Sequence, residues 1–237
     1  MMNARTDILK FQDMSITVDS AQGAGIGNLS LSLTAGDLAV VFAEKEQVRI
    51  LWADAAEGLV APAQGKVTFL GEDWRTMTAN RVAQQRGRIG RVFEGECWRS
   101  DLYVDQNITS TRQLKTRRAL EEIEGKEAIQ LRRVFGLPEL PRGRPGRGRW
   151  QDLLMAACVR AFLGAPDLIL LENPTSGHSE GIVPLLKTVH AARQRGAAVL
   201  WMTNDLQLWN HPELRASTRC RMDGSQVQLV GETERIV

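Results

Sequence analysis

The sequence predicts an α/β fold: a sheet covered on both faces by helices, with a helical subdomain inserted in mid-chain. Three observations carry this. Leu38–Phe42 and Leu168–Leu171 are short, continuous apolar runs, the pattern of strands buried on both faces of a sheet. These runs alternate with stretches of helical period, so βαβ units follow one another. From about residue 104 the strand signal stops and a helix-forming stretch rich in Arg, Glu, Gln and Leu takes over, until Pro138, Pro141 and Pro145 break it.

Taken in order, Ile8 to Val18 alternates roughly at period two, and Asn28 to Leu33 alternates strictly between leucine and serine, so both read as strands. A turn at Ala35-Gly36-Asp37 leads into Leu38–Phe42. Residues 47–56 read as a helix, 58–64 as a loop around Pro62, and 65–70 and 89–93 as strands. Helices fill 104–134. A helix from about Gln151 to Leu163 presents Leu154, Ala157, Cys158 and Ala161 on one face. Strand Leu168–Leu171, a helix from Gly181 to Arg195, strand Ala198–Thr203 and short strands near 219–222 and 226–230 complete the pattern.

Composition narrows the function. A chain of 237 residues can bury a full core, and 43% hydrophobic with 24% charged residues is ordinary for a globular protein. A formal net charge of +2 gives no global field for nucleic acid, and no nucleic-acid partner is expected. Arginines crowd residues 142–149, either as a phosphate-binding cluster or as a solvated loop between two helices; the loop is the commoner use. Cys97, Cys158 and Cys220 are odd in number and form no C-x-x-C pair, which argues against a disulfide framework and a zinc site. The first ten residues lack a signal core, and no run approaches the ~18 apolar residues that span a bilayer. A cytoplasmic chain is expected, touching the membrane only through a partner.

Several motifs fall in register. Arg144-Pro145, then Ala157, Arg160 and Ala161, then Gly164-Ala165-Pro166, Leu168–Leu171 and Glu172-Asn173-Pro174-Thr175-Ser176-Gly177 need no gap from Gly148 onward. Upstream stand Gly36 to Phe42, Gly58-Leu59, Pro62, Gly65-Lys66-Val67, Arg88 to Phe93 and Asp105 to Ile108; downstream, Val199 to Asp205. Together they resemble an ATP-binding-cassette (ABC) transporter nucleotide-binding domain over roughly residues 8–230. Thr203 to Leu208 and Met222-Asp223-Gly224 are similar to cassettes of the lipoprotein-releasing and macrolide-exporter type. The resemblance implies a P-loop NTPase-like core, a mixed sheet flanked by helices, with an N-terminal antiparallel β region. It implies one domain over 1–237: a core lobe of about 1–103 and 151–237, and a helical subdomain of about 104–150.

The chemistry departs from the family. A phosphate loop needs glycines so that backbone N–H groups wrap the phosphates, a lysine for charge and a hydroxyl for Mg²⁺. The corresponding stretch here runs from Ala43 to Leu51. Ala43, Glu46 and Val48 fill the glycine places, Arg49 the lysine place and Ile50 the hydroxyl place, with Leu51 following. β-Branched Val48 is ill suited to positive φ, and Glu44 and Glu46 would repel a polyphosphate. Glu172 stands at the Mg²⁺ aspartate place and Asn173 at that of the catalytic glutamate, where an amide is no general base. Glu94 replaces the Q-loop glutamine and Asn204 the switch histidine. The signature reads Gly148-Arg149-Trp150-Gln151-Asp152; Trp150 obstructs close approach of a phosphate, and Arg149 is either an arginine finger or a drifted residue.

No catalytic residue is therefore intact. ATP and Mg²⁺ are expected to bind weakly or not at all, and hydrolysis by the chain itself to be lost or very weak. The expected role is a degenerate ABC subunit docked on a transmembrane permease at the inner face of the cell membrane, in a hetero- or homodimer with a second ABC subunit. Glu94, Glu96, Trp98, Leu102 and Tyr103 mark the docking surface, the aromatics as anchors or as core, the acids as partners for arginine on the permease. A divergent active ATPase and a soluble scaffold or regulator are the alternatives.

Overall fold

In chain order the elements are β1 (Asp7–Ile16), β2 (Ile26–Thr34), β3 (Leu38–Phe42), α1 (Glu46–Ala56), β4 (Gln64–Phe69), β5 (Glu72–Asp73), α2 (Ala79–Arg86) and β6 (Ile89–Val92). There follow α3 (Val104–Ser110), α4 (Arg117–Val134), α5 (Trp150–Phe162), β7 (Leu168–Glu172), α6 (Ile182–Gln194), β8 (Ala198–Thr203), α7 (Leu206–Trp209), β9 (Thr218–Asp223) and β10 (Gln226–Val230). The computed structural model describes residues 6–18, 25–95, 97–110, 117–175 and 181–230.

The strands form one ten-stranded mixed sheet in the order β5-β4-β1-β2-β10-β9-β3-β8-β7-β6. Strands β1, β2, β4 and β5 make an antiparallel arm, while β9, β3, β8, β7 and β6 run parallel. The arm joins through a single pairing, Gln226 with Gly27. Both the mixed sheet and the N-terminal antiparallel region match the expected fold.

Two buried clusters, one on each face, explain why the central strands are apolar throughout. Leu38, Val40, Phe42, Ile169, Leu171, Val199 and Trp201 enter one cluster with α5 and α6. Ala39, Val41, Leu168, Leu170, Leu200 and Met202 enter the other with α1 and the arm. Alternation along a strand sends neighbours to opposite faces, and both faces here are covered. Val104 and Ile108 of α3, Ala128 of α4, and Phe135 and Leu137 belong to the first cluster, so α3, the later part of α4 and the segment after it pack onto the same core as α5.

Gly90 lets α5 lie directly on β6. A Cβ there would stand 1.8 Å from the carbonyl oxygen of Ala161. Residues 71–88 carry no legible pattern, yet the structure places β5 and α2 there. Helix α2 is polar nearly all round; it is started by the Thr78 side chain accepting from Arg81 N and tied down by Arg81 and Gln85, which both donate to Glu72. No helix among the described residues is long and apolar enough to cross a membrane.

Candidate functional site

The carboxyl ends of β3, β6, β7 and β8 converge, the place where open α/β sheets put their ligands. Backbone bonds lace this end together: Ala43 N donates to Thr203 O at 2.9 Å, and Asn173 N to Met202 O at 2.8 Å. Helix α1 starts at Glu46, leaving only residues 43–45 as connection, and none of residues 43–51 takes positive φ. The side chains of Ala43 and Val48 are buried in the core beneath, as is Trp52, whose ring meets Phe11 edge-on at 5.6 Å. Ile50 is half-buried and Leu51 packs against the same cluster.

Arg49 points inward and is 2% exposed. Its Nη1 donates to Ala43 O at 2.6 Å. Its Nε and Nη2 grip the two carboxylate oxygens of Glu94, at 2.8 and 2.7 Å. Glu94 Oε1 also accepts from Asn173 Nδ2 at 3.0 Å. Three residues singled out separately in the sequence thus form one hydrogen-bonded network. A two-point guanidinium–carboxylate bond is among the stronger polar contacts, and a buried one fixes both partners. Asn173 holds φ 44°, a left-handed conformation asparagine tolerates better than glutamate.

A second network lies beside the first. Arg91, in the middle of β6, donates through Nε to Glu172 and through Nη1 to Asp54 and Glu57 of the α1 region, at 2.8 and 2.7 Å. Its guanidinium also lies 4.3 Å from the centre of the Phe93 ring. The side chains of Arg91 and Glu172 are 3% and 1% exposed. Burial pushes the Glu172 carboxyl up to about 7, against the lowering effect of Arg91. Glu57 is raised by burial in the same sense. Arg91 stays charged, because its bonds to Glu172 and Glu57 outweigh the burial that opposes its charge. Arg91 stands at no catalytic or phosphate-facing position of the motifs, so its role is not legible from them. The available signal was an arginine inside an otherwise apolar strand, which demands buried acidic partners.

The remaining positions lie apart from these networks. Asn204 is exposed at the end of β8. In the signature-like stretch, Arg149 caps α5 and pairs locally with Asp152, Nε to Oδ2 at 2.9 Å. Trp150 is 47% exposed, Gln151 is exposed, and Gly148 packs so closely that a Cβ would meet the Leu153 side chain at 2.9 Å. The arginines of 142–149 are all exposed, as in a solvated loop. Of the residues expected at a docking surface, Trp98 packs partly buried against the core, Leu102 is half-buried, and Tyr103 is exposed with Arg144 over its ring. Glu94 turns inward to Arg49, so it is not offered to an outside arginine. Glu96, Ser176 and Gly177 lie outside the described residues.

Sheet order, strand directions and the site at the carboxyl ends together define a nucleotide-binding-domain fold of the ABC type. No protein-family model matches the chain. It is 23% identical over 156 residues to the lipoprotein-releasing system ATP-binding protein LolD of Buchnera aphidicola, covering 65% of this chain and 67% of that one. It is 27% identical over 203 residues to the zinc import ATP-binding protein ZnuC of Vibrio cholerae, covering 85% of this chain and 69% of that one. Among solved structures, a dimeric bacterial ABC transporter cassette superposes with a TM-score of 0.79 at 16% identity, covering 93% of this chain and 96% of that one. An ATP-binding subunit of an ABC transporter superposes at 0.76, also at 16% identity, covering 93% and 88%. The chain has the fold of an ABC nucleotide-binding domain and shares sequence with such subunits.

Proposed function

We propose that this chain is a non-hydrolysing ABC subunit of a membrane transporter, docked on a transmembrane permease at the inner face of the cell membrane and paired with a second ABC subunit or a second copy. The observation that carries the reading is the Arg49–Glu94–Asn173 network. At the lysine place of the phosphate loop, the guanidinium already holds a carboxylate, in the position of an anion it would otherwise receive from a ligand. Beside it, Glu172 at the metal place faces the Arg91 guanidinium, so a cation from the chain itself stands against that carboxylate.

The residues present do not fit a magnesium–triphosphate. The donors of Arg49 are engaged, Ile50 has no hydroxyl, and Ala43 and Val48 fill with buried side chains the places where bare backbone would be needed. Exposed Glu44 and Glu46 add repulsion at the loop. No catalytic step through ATP follows from this site. The role left is structural coupling, with residues of about 104–150 as the helical subdomain that meets the permease and about 1–103 and 151–237 together as one core lobe. The names of LolD and ZnuC, ATP-binding proteins of a releasing system and an import system, support the transporter setting.

The test is turnover in a complex reconstituted with its permease. Phosphate release should stay at the permease-alone background if the chain is the sole cassette. Magnesium-dependent turnover that disappears in Glu172→Ala and survives in Arg49→Ala would instead establish a divergent active ATPase.

A further inference from the structure

Two oppositely charged patches stand exposed at the same end of the molecule. Glu44 and Glu46 follow the carboxyl end of β3, one on each side of exposed Lys45. Arg144 and Arg147 lie in the loop that leads into α5. Buried Pro145 anchors that loop, and Arg147 N donates to Arg144 O at 3.0 Å, so both arginines are held facing outward. The first turn of α5 lines one cavity with Gly181 and Val183, which come after the carboxyl end of β7. The basic loop and the acidic one therefore share an end of the sheet, set apart sideways because β8 separates β3 from β7. Neither patch is neutralised within the chain: among the described residues Glu44, Glu46, Arg144 and Arg147 have no ion-pair partner. Arg144 donates only to Ser100 O, at 3.3 Å, and lies over the Tyr103 ring. Arg149, by contrast, is engaged by Asp152. Beside the basic loop, Trp150 is 47% exposed and Val183 53% exposed.

We propose that these patches join two copies of this chain without nucleotide, Glu44 and Glu46 of each copy pairing with Arg144 and Arg147 of the other. This deepens the transporter reading, on which it rests for its setting alone, by making the second subunit another copy of the same chain. Charge complementarity argues for a second copy, because each chain carries both halves of the contact. A twofold axis through this end, between the patches, makes both contacts at once and closes the assembly at two. Guanidinium groups match carboxylates in two-point geometry, and the anchored loop has little freedom left to lose on pairing. Lys45, between the two acids, finds its counterpart in Asp152 beside the facing arginines, so the charges match in sign across the contact. Trp150 supplies the large side chain that such a contact buries. Inside each chain Glu94 already takes an anion's place on Arg49; between the chains Glu44 and Glu46 do the same for the exposed arginines.

Sedimentation velocity of the full chain, free of nucleotide, tests this with two charge-reversed variants. One carries Arg144→Glu with Arg147→Glu, the other Glu44→Arg with Glu46→Arg; all four side chains are exposed, so circular dichroism should be unchanged. The unaltered chain should dimerise at micromolar concentration, with a Kd that rises at least tenfold between about 50 and about 500 mM salt. Each variant alone should be monomeric, because like charges then face each other. Mixed in equal amounts, the two variants should form a dimer with one copy of each, since every contact again joins opposite charges. A chain that stays monomeric, dimerises only with ATP and magnesium, or dimerises equally well in both variants would overturn the proposal. So would two variants that remain monomeric when mixed. Failure to co-purify with a permease, while the charge-dependent dimer still forms, would remove the transporter reading and leave the pairing of copies standing.

Discussion

Arg49 and Glu94 meet in a two-point bond at 2.8 and 2.7 Å, although 45 residues separate them in the chain. One follows β3, the other follows β6, and the sheet brings their strand ends together. The pair ties the start of α1 to the segment that follows β6. In the proposed reading it takes the place where a phosphate would be held.

Removing one partner strands the other. Glu94→Leu leaves a guanidinium that is 2% exposed without its carboxylate, and should destabilise the fold by about 3–5 kcal/mol. The double variant Arg49→Met with Glu94→Leu should recover most of that loss, because two apolar groups replace both charges. Urea unfolding of the single and double variants measures the difference.

The pH dependence follows from Glu172. Its carboxyl is raised from 4.5 to about 7 in the fold, so the folded chain keeps a proton that the unfolded chain has lost. The stabilising contribution is full below about 4.5 and is lost as pH rises toward 7. Glu57, raised by burial, acts in the same direction. Unfolding free energy should therefore fall across this window, and Glu172→Gln should flatten the fall in a pH series of denaturation curves.

Gly90→Ala should be severe. The added methyl group would stand 1.8 Å from the Ala161 carbonyl, so α5 must move off β6 or the strand must shift. A drop in melting temperature of roughly 4–12 degrees is expected from a loss of about 2–3 kcal/mol, read by differential scanning fluorimetry.

Arg149→Ala should do almost nothing to stability. The Arg149–Asp152 pair is at the surface, with Arg149 82% exposed, and pairs of this kind are worth little. An unchanged urea midpoint is the expected result; a large shift would place Arg149 in a structural role that its exposure does not suggest.

The sequence carries the fold well and the site only in part. Leu38–Phe42, Leu168–Leu171 and Ala198–Thr203 are legible because both faces of those strands are buried, so every residue but Thr203 is apolar. Helix α2 is not, since it is held by polar bonds to Glu72 and buries little beyond Gln85. The replaced positions Arg49, Glu94, Glu172 and Asn173 could be named one by one from their places in the motifs. Their pairing could not, because nothing local in the chain tells Glu94 to turn toward Arg49. Arg91 is marked locally only as an arginine inside an apolar strand; its partners Asp54, Glu57 and Glu172 come from distant elements and are not legible.

Nucleotide binding to the intact chain decides whether Arg49 is held by Glu94 or free to take a phosphate. Titration of the purified protein with ATP and magnesium in a calorimeter should give only the heat of dilution up to millimolar nucleotide. A one-to-one isotherm with a micromolar Kd, weakened at least tenfold by Arg49→Ala, would overturn the non-hydrolysing reading, for it would mean that Arg49 releases Glu94 to hold a phosphate.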